Sequence, residues 1–160
     1  MNINKKSGLV LVGFIMASFL AAAIGGYATA ESVRTWYPLL NKPVWNPPSW
    51  VFGPAWTLLY TLMSIAAWRV WRRRDKVETG KALRFFFTQL VLNAFWSVLF
   101  FGLQNPQWAL VEIIALWSVL AVIQRAFWRI DRIAGILWIP YLAWVSFATA
   151  LNAAIWWLNR

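Results

Sequence analysis

Five apolar runs, each close to the roughly 20-residue helix that crosses the hydrocarbon core of a bilayer, dominate this sequence. They cover residues 9–27, 50–71, 85–103, 108–127 and 133–157. Hydrophobic residues make up 61% of the 160-residue chain and charged residues 12%, whereas soluble domains usually carry about 25% charged residues. So much apolar surface must face lipid, where a helix satisfies its own backbone hydrogen bonds. The sequence therefore predicts an all-α integral membrane protein, in which residues 1–160 form a single five-transmembrane-helix bundle.

Two other interpretations of these runs fit the sequence less well. A transmembrane β-barrel requires apolar and polar residues to alternate, and residues 83–96 do not alternate. The first run follows Lys5 and Lys6 and precedes Ala-Thr-Ala at residues 28–30, a pattern that resembles a signal peptide. Because the run is long enough to span a membrane and four more spans follow, we interpret it as an uncleaved first helix.

Most cations lie on one side of the predicted bundle, which the N-terminus, residues 72–84 and residues 128–132 share. They are Lys5, Lys6, Arg69, Arg72, Arg73, Arg74, Lys76, Lys81, Arg84, Arg125, Arg129 and Arg132. The other side holds Arg34, Lys42 and Arg160. Cytoplasmic loops are rich in Lys and Arg, so we expect a cytoplasmic N-terminus, with the first loop and the C-terminus outside. We interpret the run Arg72–Arg74 with Lys76 as a topology anchor, with recruitment of anionic membrane lipid as the alternative.

The composition excludes several functions. The chain has no Cys and no His, which excludes disulfides, thiolate catalysis, Cys/His zinc sites and the usual axial haem ligands. We therefore expect no metal site and no required cofactor. The net charge of +10 could suggest nucleic acid. However, the cations flank the spans and form no basic face with interleaved aromatics, so we expect no nucleic-acid partner.

Aromatic, small and polar residues recur at i, i+4 spacing on three spans, so each set shares a helix face. The sets are Trp56, Tyr60 and Ser64 on the second span, Gln89, Asn93 and Ser97 with Trp96 beside them on the third, and Trp144, Ala148 and Asn152 with Tyr141 one turn before them on the fifth. Polar groups at this depth need partners, so the faces should point into the bundle. One interpretation is interhelical packing, with amides bonding across helices. The other is a mostly apolar pocket with a few orienting hydrogen bonds.

The longest connection, residues 28–49, contains four prolines, and we expect an ordered cover rather than a free linker. The aromatic residues in and directly after it are Trp36, Tyr37, Trp45 and Trp50. They suit either an interfacial belt or a pocket cover. Ser49 is predicted to cap the second helix, which would place a positive helix end beside Lys42 and Arg34. A flat aromatic ligand with carboxylates would suit this arrangement, with its ring on Trp and its acids near the two cations.

Residues 45–60, WNPPSWVFGPAWTLLY, resemble the signature of the translocator protein family. That family is also known as the tryptophan-rich sensory proteins and the peripheral-type benzodiazepine receptor. Further blocks follow in the family's order: residues 89–96 (QLVLNAFW), 100–102 (FFG), 108–112 (WALVE) and 140–152 (PYLAWVSFATALN). The match covers nearly the whole chain, and its Trp- and Pro-containing blocks are highly specific, so the chain is similar to a bacterial-type member.

The resemblance implies a five-helix bundle, commonly a homodimer, with a pocket beneath the first loop. Family members bind porphyrins such as protoporphyrin IX and other flat hydrophobic molecules such as isoquinoline and benzodiazepine drugs, and mammalian members bind cholesterol. Some bacterial members are reported to break down protoporphyrin IX in light with two tryptophans, which correspond here to Trp56 and Trp144. The family's pocket asparagine, loop-side tryptophan and ligand-facing small residue correspond to Asn93, Trp108 and Ala148.

Three functions are compatible with these features. The leading one is a membrane receptor or sensor of protoporphyrin IX-type tetrapyrroles, with free-base porphyrin as ligand rather than cofactor. The alternatives are a light-dependent porphyrin-degrading enzyme that uses Trp56 and Trp144, and a lipid or sterol transporter. In the family's sterol motif a Tyr follows Leu-Asn of the fifth helix, where this chain has Ala153, which argues against high-affinity sterol binding there. We expect the ligand to contact Trp45, Trp50, Trp56, Tyr60, Asn93, Trp96, Trp108, Tyr141, Trp144, Ala148, Asn152, Lys42 and Arg34.

Overall fold

The computed structural model describes the backbone of residues 3–160 and the side chains of residues 6–160, so the Lys5 side chain lies outside the described part. Within it, the α-helices are α1 (Ile3–Ala30), α2 (Ser32–Thr35), α3 (Phe52–Trp71), α4 (Gly80–Ser97), α5 (Pro106–Ile130) and α6 (Arg132–Leu158). Residues 3–160 contain no strand. All helices except α2 are long and apolar enough to cross a membrane, which confirms the predicted all-α membrane fold.

The long helices overlap the five apolar runs and differ from them at their ends. Helix α4 begins at Gly80, before the predicted start at residue 85. Its first turn is amphipathic rather than apolar, since Ala82 is buried while Lys81 and Arg84 are exposed. A π-helical turn, Val98–Gly102, extends α4 towards the next loop.

Contacts between neighbouring helices close a ring. Helix α1 packs against α3 and α4, α3 also packs against α6, and α5 packs against both α4 and α6. The order around the ring is therefore α1, α3, α6, α5, α4. Large side chains such as Met63, Phe86, Leu120 and Trp138 fill its centre and are fully buried. Which end of this ring faces the cytoplasm stays a prediction from the positions of Lys and Arg.

Capping residues begin the last two spans. Asn105 accepts a hydrogen bond of 3.1 Å from the Trp108 amide, and Pro106 takes the first helical position. Asp131 accepts a hydrogen bond of 2.9 Å from the Ala134 amide and so begins α6. Because Asp131 alone separates α5 from α6, the two helices pack as antiparallel neighbours.

The loop between α1 and α3 is tied to the bundle at both of its halves. The Ser32 hydroxyl donates a hydrogen bond of 2.6 Å to the Phe101 carbonyl in the π-helical turn. Further along, the Asn41 amide donates to Asn159 Oδ1 at 2.9 Å, and Asn159 Nδ2 donates back to the Asn41 carbonyl at 2.8 Å. The loop is therefore held against the end of α6 rather than extended into solvent.

The entry into α3 differs from the sequence-based prediction. Ser49 begins a short 3₁₀ turn, Ser49–Val51, and Pro48 holds the N-cap position of that turn. No side chain caps either this turn or α3. The prediction that Ser49 caps the helix is wrong, because the Pro48 carbonyl accepts the Val51 amide at 3.0 Å and so turns the chain one residue earlier.

Candidate ligand-binding cavity

A cavity of about 350 Å³ lies in the half of the bundle nearest the first loop. Small-molecule sites occupy roughly 300–1,000 Å³, so this volume falls at the lower end of the range. Helices α1, α3, α4 and α6, the π-helical turn and the loop all contribute to its wall, whereas α5 contributes no lining residue. Its lining includes Trp56, Tyr60, Asn93, Trp96, Trp144, Ala148 and Asn152, all from the stripes predicted to face inward.

Two indoles dominate the wall between α3 and α6. The ring centroids of Trp56 and Trp144 are 6.3 Å apart and their planes meet at 78°, an edge-to-face arrangement. Phe52 meets Trp144 edge to face at 6.1 Å, which extends this aromatic surface towards the loop. On the α4 side, Trp96 stacks on Phe100 with centroids 5.2 Å apart. A flat apolar ligand would find ring faces and ring edges on both sides.

A chain of hydrogen bonds closes the floor of the cavity. The Tyr60 hydroxyl donates to Asn93 Oδ1 at 2.5 Å, Asn93 Nδ2 donates to the Tyr141 hydroxyl at 3.0 Å, and that hydroxyl donates to Gln89 Oε1 at 2.8 Å. Tyr141 is fully buried behind Trp56 and does not line the cavity. Packing across helices is therefore observed for Gln89 and Asn93, but Asn93 also lines the cavity and retains one amide hydrogen for a ligand.

A second hydrogen-bonded pair, Trp96 and Asn152, lies near the start of α5. Trp96 Nε1 donates to Asn152 Oδ1 at 3.0 Å, and Asn152 Nδ2 donates to the Pro106 carbonyl at 2.8 Å. These bonds fix the Trp96 ring against the wall and join α4, α6 and the start of α5. Both side chains line the cavity.

The indole N–H of Trp144 is buried and has no hydrogen-bond partner among the described residues. Leaving a buried donor unpaired costs about 1–3 kcal/mol, and Trp144 lines the cavity. A small rotation of the indole, which borders the cavity, would let an acceptor atom of a ligand pair with this N–H and remove that cost. The Trp138 N–H is also unpaired, but Trp138 lies in the closed centre of the bundle and does not reach the cavity.

Glycines leave free space at one side of the cavity and allow two helices to approach closely at another. Gly26 and Gly53 line the cavity, and a Cβ on either would meet nothing within 4 Å, so open space lies beside both residues. A Cβ on Gly25 would instead lie 2.9 Å from the Ser97 hydroxyl. Glycine at this position lets α1 approach α4 closely beside the cavity.

The loop aromatics take different positions. Tyr37 lines the cavity and donates a hydrogen bond of 2.6 Å to Asn46 Oδ1. Burial raises the pKa of the Tyr37 hydroxyl, an effect that the bond to Asn46 partly opposes, so the hydroxyl remains a neutral donor. Trp45 packs edge to face on Phe147 at 5.7 Å, outside the lining. Trp50 is 73% exposed and does not line the cavity either.

The structure does not place the two predicted ligand-binding cations in the wall. Lys42 Nζ donates to the carbonyls of Tyr37, Pro38 and Leu40 at 2.8, 3.1 and 2.7 Å, so its ammonium group orders the loop backbone. Arg34 lies on the exposed side of α2. Among the described residues, the lining carries no charged side chain.

Trp108 also lies away from the cavity. It is 60% exposed at the start of α5, while the adjacent Ala109 is fully buried. The helix therefore turns its small residue inward at this level and its indole outward. The described residues contain no group of three or more acidic, His or Cys side chains that could hold a metal ion.

Several lining residues were missed from the sequence. Phe52 precedes Trp56 by one helical turn, and Phe147 follows Trp144 by nearly one turn, so extending the predicted stripes would have found both. Phe100 and Phe101 lie in the π-helical turn, whose irregular spacing no periodic pattern indicates.

Comparison with known proteins agrees with this architecture. A sequence model of the TspO/MBR family matches residues 14–158. The chain is 45% identical over 151 residues to the tryptophan-rich protein TspO of Archaeoglobus fulgidus, covering 94% of this chain and 97% of that protein. It is 42% identical over 140 residues to the tryptophan-rich sensory protein of Cereibacter sphaeroides, covering 86% and 87% of the two chains. It is 37% identical over 149 residues to the human translocator protein, covering 91% and 87%. Together with the five spans, these matches show that the chain is an integral membrane protein that belongs to the TspO/MBR family.

Proposed function

We propose that this protein is a membrane receptor that binds porphyrin-type tetrapyrroles, with protoporphyrin IX as the representative ligand. The observation that carries the proposal is the edge-to-face pair of Trp56 and Trp144 in the cavity wall, with the Trp144 N–H left unpaired. A tetrapyrrole has a flat aromatic surface that packs on these indoles. It also has acceptor atoms for the unpaired N–H.

The chemistry of the wall favours the apolar macrocycle over its acidic groups. The polar atoms that line the cavity belong to neutral side chains such as Asn93, Asn152 and Ser97. Charged propionates would therefore lie outside the wall, and the open space beside Gly26 and Gly53 offers room for them. Because the sequence has no His and no Cys to ligate iron, free-base porphyrin should bind at least as well as haem.

The proposal is tested by titrating the purified protein with protoporphyrin IX and with haem, following the Soret band and tryptophan fluorescence together. The expected result is a shifted Soret band and saturable quenching at micromolar protoporphyrin, with haem no tighter. Absence of quenching at these concentrations would count against the receptor.

A second function is favoured by the closeness of Trp56 and Trp144, which are near enough to each other and to any occupant for electron exchange. We propose as the alternative a light-dependent porphyrin-degrading enzyme, in which dissolved dioxygen is the oxidant of the excited porphyrin and these indoles supply radical chemistry or shield reactive intermediates. Replacing both with Phe should then abolish product formation at saturating porphyrin under illumination. Unchanged turnover in this double variant would eliminate the enzyme and leave the receptor standing.

A further inference from the structure

We propose that the end of the bundle opposite the cavity carries a second binding site, specific for a phosphate group. A depression of about 330 Å³ lies there, lined by Arg69, Arg72, Arg73, Lys76 and Asp131. Its lining is polar and strongly cationic, in contrast to the uncharged wall of the tetrapyrrole cavity. The proposal goes beyond the receptor function and does not rest on it.

The last turn of α3 and the turns that follow it build this cationic surface. Arg69 lies in the last turn of α3, Arg72, Arg73 and Lys76 lie in the turns that follow Trp71, and all four line the depression. The carbonyl end of a helix favours nearby cations, which offsets part of their mutual repulsion. Asp131 faces it from the start of α6.

Asp131 neutralises only part of the positive charge of this cluster. Its carboxylate accepts a bidentate pair from Arg69 at 3.0 and 3.1 Å and a further bond from Arg73 at 3.1 Å. Burial would raise the pKa of Asp131, but the bonds from Arg69, the Ala134 amide and Arg73 hold that pKa at about 2, so the group carries its full charge. One carboxylate thus stands against four cations.

Arg72 and Lys76 remain available for a ligand. The Arg72 guanidinium lies 4.9 Å above the Trp68 ring, which fixes its plane while leaving its N–H edge free. Lys76 is exposed. Neither side chain forms an ion pair or a hydrogen bond with any described residue.

These donors match a phosphate group. Guanidinium forks bind the oxygens of phosphate in pairs, and an ammonium adds a point charge. The site lies at the end of a membrane span, at the level where the headgroups of anionic lipids reside. The same chemistry would hold the headgroup phosphate of a lipid or a soluble phosphate.

The test uses the full-length protein in two arms. In the first, protein in neutral detergent is titrated with inorganic pyrophosphate by calorimetry. In the second, native mass spectrometry counts phosphatidylglycerol and phosphatidylcholine molecules retained from mixed micelles. The variant Arg72→Gln/Lys76→Gln removes the two available cations and leaves the Asp131 bridge intact. The matched control, Lys81→Gln/Arg84→Gln, removes two exposed cations on the same side that do not line the depression.

Wild-type protein should bind the anionic probe of at least one arm about tenfold or more tightly than Arg72→Gln/Lys76→Gln, with the control matching wild type. Phosphatidylglycerol retention without pyrophosphate binding assigns a lipid headgroup, and binding in both arms assigns phosphate from either source. Equal binding by wild type and Arg72→Gln/Lys76→Gln in both arms, or an equal loss in the control, overturns the proposal. If the double variant fails to fold, the single variant Lys76→Gln, which is changed at an exposed position, replaces it in the same comparison with wild type.

Discussion

Tyr60 on α3 donates a hydrogen bond of 2.5 Å to Asn93 on α4, and this bond joins two helices that otherwise touch little at the cavity floor. Both side chains are buried, so neither can turn to water when the other is removed. Polar pairs between membrane helices contribute about 0.6 kcal/mol on average and up to about 1.7 kcal/mol. The bond therefore stabilises the fold and also fixes the shape of the site.

The change Tyr60→Phe should lower the free energy of unfolding by about 0.5–2 kcal/mol, because it leaves the Asn93 oxygen buried without a donor. Thermal unfolding in detergent measures the loss. Tyr27, which is 90% exposed, supplies the control: Tyr27→Phe should leave the transition unchanged. Equal stability of both variants would show that the floor bond contributes nothing.

The change Trp144→Phe should weaken protoporphyrin binding by about threefold to tenfold while keeping an aromatic ring in place. The reason is that the indole, unlike the phenyl ring that replaces it, carries an N–H with no partner among the described residues, and an acceptor atom of a ligand in the adjacent cavity would pair with it. Porphyrin titration measures the affinity, and Trp157→Phe, on the exposed end of the same helix, is the matched control. If Trp144→Phe binds as tightly as the control, the ligand does not use that donor.

Removing the Asn41–Asn159 tie should loosen the first loop without unfolding the bundle. Asn159→Ala deletes both reciprocal bonds at the end of α6. Hydrogen exchange of residues 40–48 should become faster, while exchange in α5 stays as in wild type. The exposed change Gln107→Ala should have neither effect, and unaltered loop exchange in Asn159→Ala would contradict the proposed tie.

The Asp131 bridge predicts a pH dependence. The folded pKa of Asp131 is about 2, below its usual value of 3.8, so the charged group stabilises the fold above about pH 4 and loses that contribution as the pH falls towards about 2. Asp131→Asn retains the helix cap but removes the charge. It should cost about 1–3 kcal/mol near neutral pH and flatten the acid dependence of unfolding. A variant with the wild-type acid profile would show that another group titrates there.

The sequence predicted the spans and three walls of the cavity because both follow from helical geometry. The length and hydropathy of each run limit it to a membrane helix, and i, i+4 spacing puts Trp56 with Tyr60 and Trp144 with Ala148 on one face. These inferences need no knowledge of how the loop folds. The i, i+4 spacing and the family resemblance both selected Asn93, and the structure places it in the lining.

The loop and its cations could not be predicted in the same way. Lys42 binds carbonyls of its own loop because the turn at Tyr37–Leu39 brings those oxygens together, a contact that depends on the path of the chain rather than on spacing. Trp108 faces outward because α5 turns the small residue Ala109 into the bundle at that level, and no residue of α5 lines the cavity. Both outcomes depend on tertiary packing that local patterns do not encode.

The central claim is that a tetrapyrrole occupies this cavity. It is tested most directly by replacing a small lining residue with a large one that fills the cavity. Ala148 lines the cavity, whereas Ala150 lies on the exposed face of the same helix, so Ala148→Trp and Ala150→Trp make the same chemical change at two positions. Protoporphyrin titration should show binding lost in Ala148→Trp and retained in Ala150→Trp, with both proteins folded. Undiminished binding by Ala148→Trp would place the ligand elsewhere and contradict the account.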